Sequence, residues 1–288
     1  RDLIESEFVF TTKLSSIFRQ AEESLIIVNA HRINSGEYPY VNEKEKDFFF
    51  MERNDEQSIV ALISELATTR LSAYYEGIDP IKDIQVLTPV RKGALGTASL
   101  NAELQKMLNP PEPLKIEKKL GDRLFREGDK VMQTRNNYQI GWKKRRDFSE
   151  GQGIFNGDIG YIHSIDSDAG QMTIIFDEDR FVSYEFGQLD EIELAYAMTV
   201  HKSQGSEFPI VVMPVSWFPP MLATRNLLYT AVTRGKKVVI LCGMQRRMEA
   251  MVDNNRIKLR FSGLKHRLRA LIGRSIIGSN EEALGNEI

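Results

Sequence analysis

The stretch Ala195–Phe208, AYAMTVHKSQGSEF, constrains this chain more than any other. It opens on small and apolar residues, Ala195, Ala197 and Met198, which suit a buried strand. It turns polar at Thr199, His201, Lys202, Ser203 and Gln204, breaks at Gly205, and closes on Glu207 and Phe208. A strand running into a polar, Gly-containing turn is how an open α/β sheet presents ligand-binding groups, beyond the carboxyl ends of its strands. A second segment, Asn226–Lys236 (NLLYTAVTRGK), reads as a helix with apolar Leu227, Leu228, Ala231 and Val232, and with Arg234 at its exit before Gly235. Each alone fits an ordinary βα turn or helix end. The two in this order are far more specific.

The rest of the chain supplies α/β surroundings for them. Residues 1–36 read as helical, interrupted near Phe8–Lys13 by a β-prone piece. Arg19 and Gln20 fall at the start of the helix that carries Ile26, Ile27 and Ala30 and stops at Gly36. Phe48–Glu52 is an aromatic strand. Ile59, Leu62, Ile63 and Leu66 have helical spacing behind Asp55, a cap residue. Ile84–Leu87 is a buried strand ended by Thr88-Pro89. Leu100, Leu104, Met107 and Leu108 line one face of a helix that Pro110, Pro111 and Pro113 terminate. This is β–α–β–α, half of a doubly wound sheet.

At Pro110 the pattern changes. Lys115–Tyr138 and Ile154–Phe186 are short alternating strands with turn chemistry at Asn156-Gly157 and Asp168–Gly170, which reads as a small inserted β-barrel. Gly141–Gly153 is polar and reads as mobile. The α/β pattern resumes after Asp190 with strands Glu193–Met198, Ile210–Val215 and Val238–Cys242. Met172–Asp179, MTIIFDED, has the apolar-strand-then-acid form of a Mg-binding NTPase strand. It lies inside the barrel, however, and Tyr184–Phe186 continues the β alternation, so a hairpin end with solvated carboxylates is the expectation.

Composition excludes several classes. The chain has 288 residues and 42% apolar residues, enough for one large or two modest domains. Four His and one Cys make neither a disulfide framework nor a metal cluster, and Cys242 reads as a core thiol in a reducing cytosol. No apolar run approaches the roughly 20 residues of a membrane helix. The net charge of −2 hides an asymmetry. Lys115–Arg146 holds eleven Lys/Arg against four Asp/Glu, and Arg234–Arg274 holds twelve against two. Two basic zones beside the turns above point to a polyanion.

HKSQGSEF (201–208) resembles motif V, and LYTAVTRGKK (228–237) motif VI, of superfamily 1 DNA helicases of the RecD-like branch. IFRQ (Ile17–Gln20) resembles motif IV of that family, and Thr88–Pro110 and Gly128–Tyr138 continue the likeness. The resemblance implies a RecA-like parallel-sheet domain of P-loop NTPase type, the second of two motor domains, with an inserted Src-homology-3-like barrel. It implies divisions at 1–114, 115–190 and 191–245, with a basic tail at 246–288. No G-x-x-x-x-G-K-[ST] loop occurs, since RKGALGTAS (91–99) lacks the Lys after its glycine pair. ATP with Mg²⁺ would therefore be held with another, N-terminal RecA-like domain, and the chain reads as a fragment.

The motif match assigns Arg19 and Arg234 as γ-phosphate arginines, with Gln20, Gln204, Gly205 and Glu207 on the nucleotide side. It assigns Thr199, His201 and Ser203 to phosphates of single-stranded DNA, with Thr88, Arg91 and Asn101 weaker candidates and Asn136 and Asn137 weaker still. No residue is assigned to a metal. Implied partners are single-stranded DNA at a duplex junction, the first motor domain, and, in one form of the family, nuclease and helicase subunits. Two alternatives stay open: a nucleic-acid-binding module with no motor, and a helicase-like segment of a conjugative relaxase.

Overall fold

The computed structural model describes residues 2–12, 24–43, 46–177, 179–256 and 263–271. The chain divides into two units, residues 1–21 with 257–288 and residues 22–256. In the first, α1 (Asp2–Ser6) and a helix over residues 264–271 are tied by Lys265 Nζ to Glu5 Oε2 at 2.7 Å. The β-prone reading of Phe8–Lys13 does not hold over its described part. Phe8–Thr12 form no strand and the Phe10 ring stands fully exposed. A β-prone sequence without a neighbouring strand to complete its hydrogen bonds stays irregular.

The second unit begins with α2 (Leu25–Ser35), which ends where expected. Gly36 takes φ 89° and its N–H closes on Ile33 O. β1 (Phe48–Glu52) is followed by α3 (Glu56–Glu65), capped by Asp55 Oδ1 on Ser58 N at 2.8 Å. One π-helical turn, Leu66–Arg70, leads into α4 (Leu71–Tyr74). β2 (Ile84–Thr88) and α5 (Thr97–Leu108) come next; Leu100 and Leu104 are buried as their spacing predicts, while Met107 is exposed.

The barrel then runs through β3 (Glu117–Leu120), β4 (Arg123–Arg126), β5 (Lys130–Gln133), β6 (Asn137–Lys144), β7 (Glu150–Ile154), β8 (Ile159–Asp166), β9 (Gln171–Phe176) and β10 (Arg180–Glu185). After β11 (Ile192–Leu194) the chain returns to the α/β part with β12 (Ala197–Thr199), β13 (Phe208–Val215), α6 (Arg225–Val232), β14 (Gly235–Gly243) and α7 (Gln245–Asp253). Five strands form a wholly parallel sheet in the order β1-β14-β13-β2-β12. Seven form an antiparallel sheet, β11-β5-β8-β9-β10-β6-β7, and β3 pairs with β4.

The parallel sheet is covered on both faces, which is why its strands are apolar without alternation. Val211, Met213, Val239 and Leu241 meet Ile33, Leu228 and Met248 on one side. Ile210, Val212, Ile240 and Cys242 meet Ile59, Leu62 and Leu104 on the other. Burial pushes the Cys242 thiol up to about 12, as a core cysteine requires. The barrel has its own core of Phe125, Ile162, Ile174, Phe176 and Tyr184.

Two expectations need correction. Gly141–Gly153 is a hairpin, not a mobile loop: Trp142 pairs with Gly151 and Lys143 with Glu150. The indole lies where a Cβ on Gly151 would come 2.3 Å from Trp142 Cζ2, and Lys143 Nζ meets Glu150 Oε1 at 2.8 Å. Ring-on-glycine packing and a cross-strand ion pair give a polar sequence a reason to pair. The run Glu193–Met198 is not one strand: Ile192–Leu194 pairs antiparallel with β5 of the barrel, and Ala197–Thr199 pairs parallel with β2. Two residues, Ala195 and Tyr196, pass the chain from one sheet to the other. MTIIFDED is a hairpin end as expected, with exposed Asp177 paired to Arg180 at 2.5 Å.

Gly243 ends β14 at φ 149°, with a position for Cβ only 1.8 Å from Val215 O. Gly243→Ala must push β13 and β14 apart at their carboxyl ends. A loss of about 2–5 kcal/mol is expected from strain and overpacking together. Urea unfolding measures it, and a loss under about 0.5 kcal/mol, the level of an inert surface change, would contradict this packing.

Candidate functional site

Thr199 and Thr88 stand opposite each other at the carboxyl ends of β12 and β2. From Thr199 the chain folds into a tight turn. Lys202 N and Ser203 N both bond Thr199 O, at 2.9 and 3.2 Å, and Ser206 N bonds Ser203 O at 3.1 Å. Gly205 takes φ 92°, a left-handed value that admits the turn without Cβ strain.

Three of the expected contact residues lie within this scaffold, not on its surface. Thr88 is fully buried and its hydroxyl donates to Leu95 O at 2.6 Å, which holds the loop before α5. Asn101 Nδ2 donates to Leu194 O and Ala197 O at 3.0 and 2.9 Å, while its Oδ1 accepts from Ala197 N at 2.8 Å. It thus clamps the crossing between the two sheets. Ser203, also fully buried, donates to Val200 O at 2.8 Å.

Among the other expected residues Arg91 and His201 are exposed, whereas Thr199 is 8% exposed at the end of β12. Arg91, Thr199 and His201 line one groove of about 710 Å³, together with Lys202, Trp217 and Phe218. Lys202 Nζ is paired with Glu193 at 2.7 Å. His201 and Gln204 also line a small cavity of about 50 Å³ against Thr224, Asn226 and Thr230 of α6 and its cap. Glu207 is exposed and meets Lys236 Nζ at 2.9 Å.

Arg234 joins the two turns. Its Nη1 donates to Ser206 O at 3.0 Å, its Nε to Thr230 O at 3.2 Å and its Nη2 to Thr233 Oγ1 at 3.3 Å. Phe208 N returns a bond to Arg234 O at 2.8 Å. None of these partners is a carboxylate. Arg19 and Gln20 lie outside the described residues.

At the barrel, Asn137 Nδ2 and Arg135 Nη2 both bind Glu191, at 3.0 Å each, so these side chains brace β6. Asn136 Nδ2 donates to the Tyr138 hydroxyl at 3.0 Å.

Residue-by-residue reading missed a buried polar knot between barrel and parallel sheet. Asp129, fully buried, accepts from Gln105 Nε2, Asn109 Nδ2, Arg126 N and Tyr196 OH at 2.6, 2.7, 2.7 and 2.9 Å. Burial raises its pKa, opposed by those four donors, and burial beside Asp129 raises that of Tyr196 well above the usual phenol range. The adjacent Lys130 is buried too, its Nζ 3.3 Å from Ile84 O. The signal was the pair Asp129-Lys130 heading an apolar strand, an unusual place for two charges. Among the described residues no group of three His, Cys, Asp or Glu is placed to hold a metal, and no helix is long and apolar enough to cross a membrane.

Residues 100–176 match the model of the ATP-dependent RecD-like DNA helicase SH3 domain, and residues 194–242 match that of the UvrD-like helicase C-terminal domain. The ATP-dependent RecD2 DNA helicase of Deinococcus radiodurans is 31% identical over 261 residues, covering 90% of this chain and 32% of that protein. The RecBCD enzyme subunit RecD of Mycolicibacterium smegmatis is 28% identical over 197 residues, covering 67% of this chain and 31% of that protein. A Bacteroides Pif1 bound to single-stranded DNA aligns with TM-score 0.48 at 16% identity, over 94% of this chain and 57% of that one. The chain spans about a third of the length of the curated relatives it matches. A RecD-type barrel model and a helicase C-terminal model match successive segments, and a RecD2 helicase is a relative along most of the chain, so the chain is similar to a C-terminal portion of RecD-like superfamily 1 helicases.

Proposed function

We propose that this chain is the second motor domain of an ATP-dependent DNA helicase moving 5′ to 3′ on one strand in the cytosol. Residues 1–114 and 191–245 are the two parts of that domain, 115–190 the inserted barrel and 246–288 a basic tail. ATP and Mg²⁺ are held with a first RecA-like domain that supplies the phosphate-cradling loop, and this chain alone does not hydrolyse ATP. ATP supplies a transferable γ-phosphoryl group, whose growing charge Arg234 and Arg19 meet. Gln20, Gln204, Gly205 and Glu207 sit on the nucleotide side. Thr199, His201 and Arg91 face the strand, while Thr88, Asn101 and Ser203 hold the turn that presents them. Single-stranded DNA at a duplex junction is the substrate, and nuclease subunits of the kind implied by a relative's name, RecBCD enzyme subunit, are candidate partners.

The observation that supports this reading best is the bond from Arg234 to Ser206 O. It ties the guanidinium to the turn that carries Thr199 and His201, so nucleotide state and strand grip share one rigid piece. Hydroxyl and imidazole donors on such a turn hold phosphates without reading sequence.

The test is a salt titration of single-stranded DNA binding to the chain. Affinity is expected to fall with log salt at a slope of about −0.7 for each phosphate neutralised, with little dependence on base sequence. Salt-independent binding, or strong preference for one sequence, would refute the single-strand reading.

A further inference from the structure

Trp217 sits where β13 leaves the sheet, between residues committed to the fold. Ser216 and Phe218 are 4% and 6% exposed, whereas Trp217 is 62% exposed. Its loop is fixed at the base. Asn254 Nδ2 donates to Pro220 O at 2.8 Å and to Ala223 O at 2.7 Å, and Leu222 N and Ala223 N both close on Pro219 O. The indole therefore stands in water on a braced segment, with Phe218 beside it anchored in the core. A large ring left in water on a braced loop is free to take a flat partner.

The groove it lines identifies the contact. Arg91 and Lys92, both exposed, come from the loop after β2, Thr199 from the end of β12, and exposed His201 from the turn after it. Glu56 is an acid in the same lining, and Lys202 is already paired with Glu193. Cations and small donors on one side with a flat aromatic on the other suit a polyanion that carries flat rings.

We propose that Trp217 is a stacking platform for a base of single-stranded DNA, whose phosphates lie along Arg91, Lys92 and His201. This rests on the single-strand reading above and adds a base contact to what was there a phosphate grip. Every base has a π face, so stacking is tolerant of sequence and leaves the expected lack of preference intact. An indole on a fixed base also orders little on binding, because its loop is already held.

The protein contains two tryptophans, Trp142 and Trp217, so Trp142→Phe leaves a single reporting indole. The full chain is titrated with a thymidine oligonucleotide and with an abasic one of equal length, by indole emission and by anisotropy of labelled strands. Anisotropy is also run with Trp142 in place, so that a poorly folded Trp142→Phe protein does not decide the matter. The thymidine strand is expected to quench Trp217 and to bind on the order of 10–100-fold more tightly than the abasic strand. Trp217→Ala should bring thymidine binding down to the abasic level and leave abasic binding unchanged, and Trp217→Phe should restore most of the difference. If both strands bind alike and Trp217→Ala changes neither, stacking is refuted while the phosphate grip stands, and the exposed ring belongs to a protein contact. If neither strand binds, the single-strand reading fails and the stacking proposal with it.

Discussion

Arg234→Ala in the full-length helicase is expected to stop ATP turnover while leaving ATP binding largely in place. In the proposed reading, the ground-state phosphates and Mg²⁺ are already held by the first motor domain. A guanidinium arriving from the second meets charge that builds only as the γ-phosphoryl group moves, so its effect falls on kcat. Arginines in this role are worth on the order of 10³–10⁵ in rate, or ~4–7 kcal/mol at 1.36 kcal/mol per decade. A merely structural Arg234 would act through its three hydrogen bonds to Ser206, Thr230 and Thr233. Losing those would lower stability by roughly 1–3 kcal/mol and leave kcat nearly alone. Arg234→Lys sharpens the contrast, because it keeps the charge and loses the planar fork. If both variants turn over ATP within a few-fold of wild type, Arg234 does not meet the γ-phosphate.

The second large effect is on stability and belongs to Lys130. Desolvation by burial lowers its pKa from the ordinary lysine value of 10.5 to about 7, against the pull of Asp79 and Asp83. Its Nζ faces Ile84 O, and the Phe208 ring lies 5.9 Å away. The unfolded lysine takes up its proton near pH 10.5 and the folded one only near 7, so between these values the unfolded chain binds more protons. Stability attributable to Lys130 therefore rises with pH across that window, by on the order of 4–5 kcal/mol in full. Between pH 7.5 and 9.5 the gain should be about 2–3 kcal/mol. Cys242 acts in the opposite direction: its folded pKa of about 12 lies above the unfolded value of 9.0, so its contribution falls as pH climbs past 9. The measurement is thus the difference between wild type and Lys130→Met in urea unfolding at the two pH values. Lys130→Met should be the more stable protein at pH 7.5 and should lose that advantage by pH 9.5. A difference that does not change with pH would refute the buried, depressed lysine.

The parallel-sheet strands were legible because burial on both faces leaves an unmistakable apolar run, as at Ile210–Val215 and Val238–Cys242. The cap at Asp55 and the stop at Gly36 were legible because they need one particular residue type. The hairpin β6–β7 was not. What pairs it is Trp142 lying on Gly151 across the ladder, a contact between residues nine positions apart in a sequence that otherwise looks like a loop. Glu193–Met198 alternates too briefly to show that its halves belong to different sheets. In the site, exposed His201 and Arg91 line the groove together with the largely buried Thr199. Thr88, Asn101 and Ser203 turn inward, because a hydroxyl or amide beside strand-end carbonyls serves equally well as donor to the backbone, and residue type does not say which. Trp217 was overlooked since a tryptophan after an apolar strand reads by default as core.

The two-residue passage at Ala195 and Tyr196 has a mechanical consequence. Only Ala195 and Tyr196 separate the barrel's last strand from the strand leading into the Thr199–Gly205 turn. Asn101 grips the backbone at Leu194 and Ala197, on either side of the passage, and the Tyr196 hydroxyl is fastened to Asp129. The opposite connection, from α5 to β3, is longer and contains Pro110, Pro111 and Pro113. Gln105 and Asn109 at the end of α5 also bind Asp129, so the barrel is held at its root from both connections. A load applied to its far tip is delivered to that root, next to the Thr199–Gly205 turn.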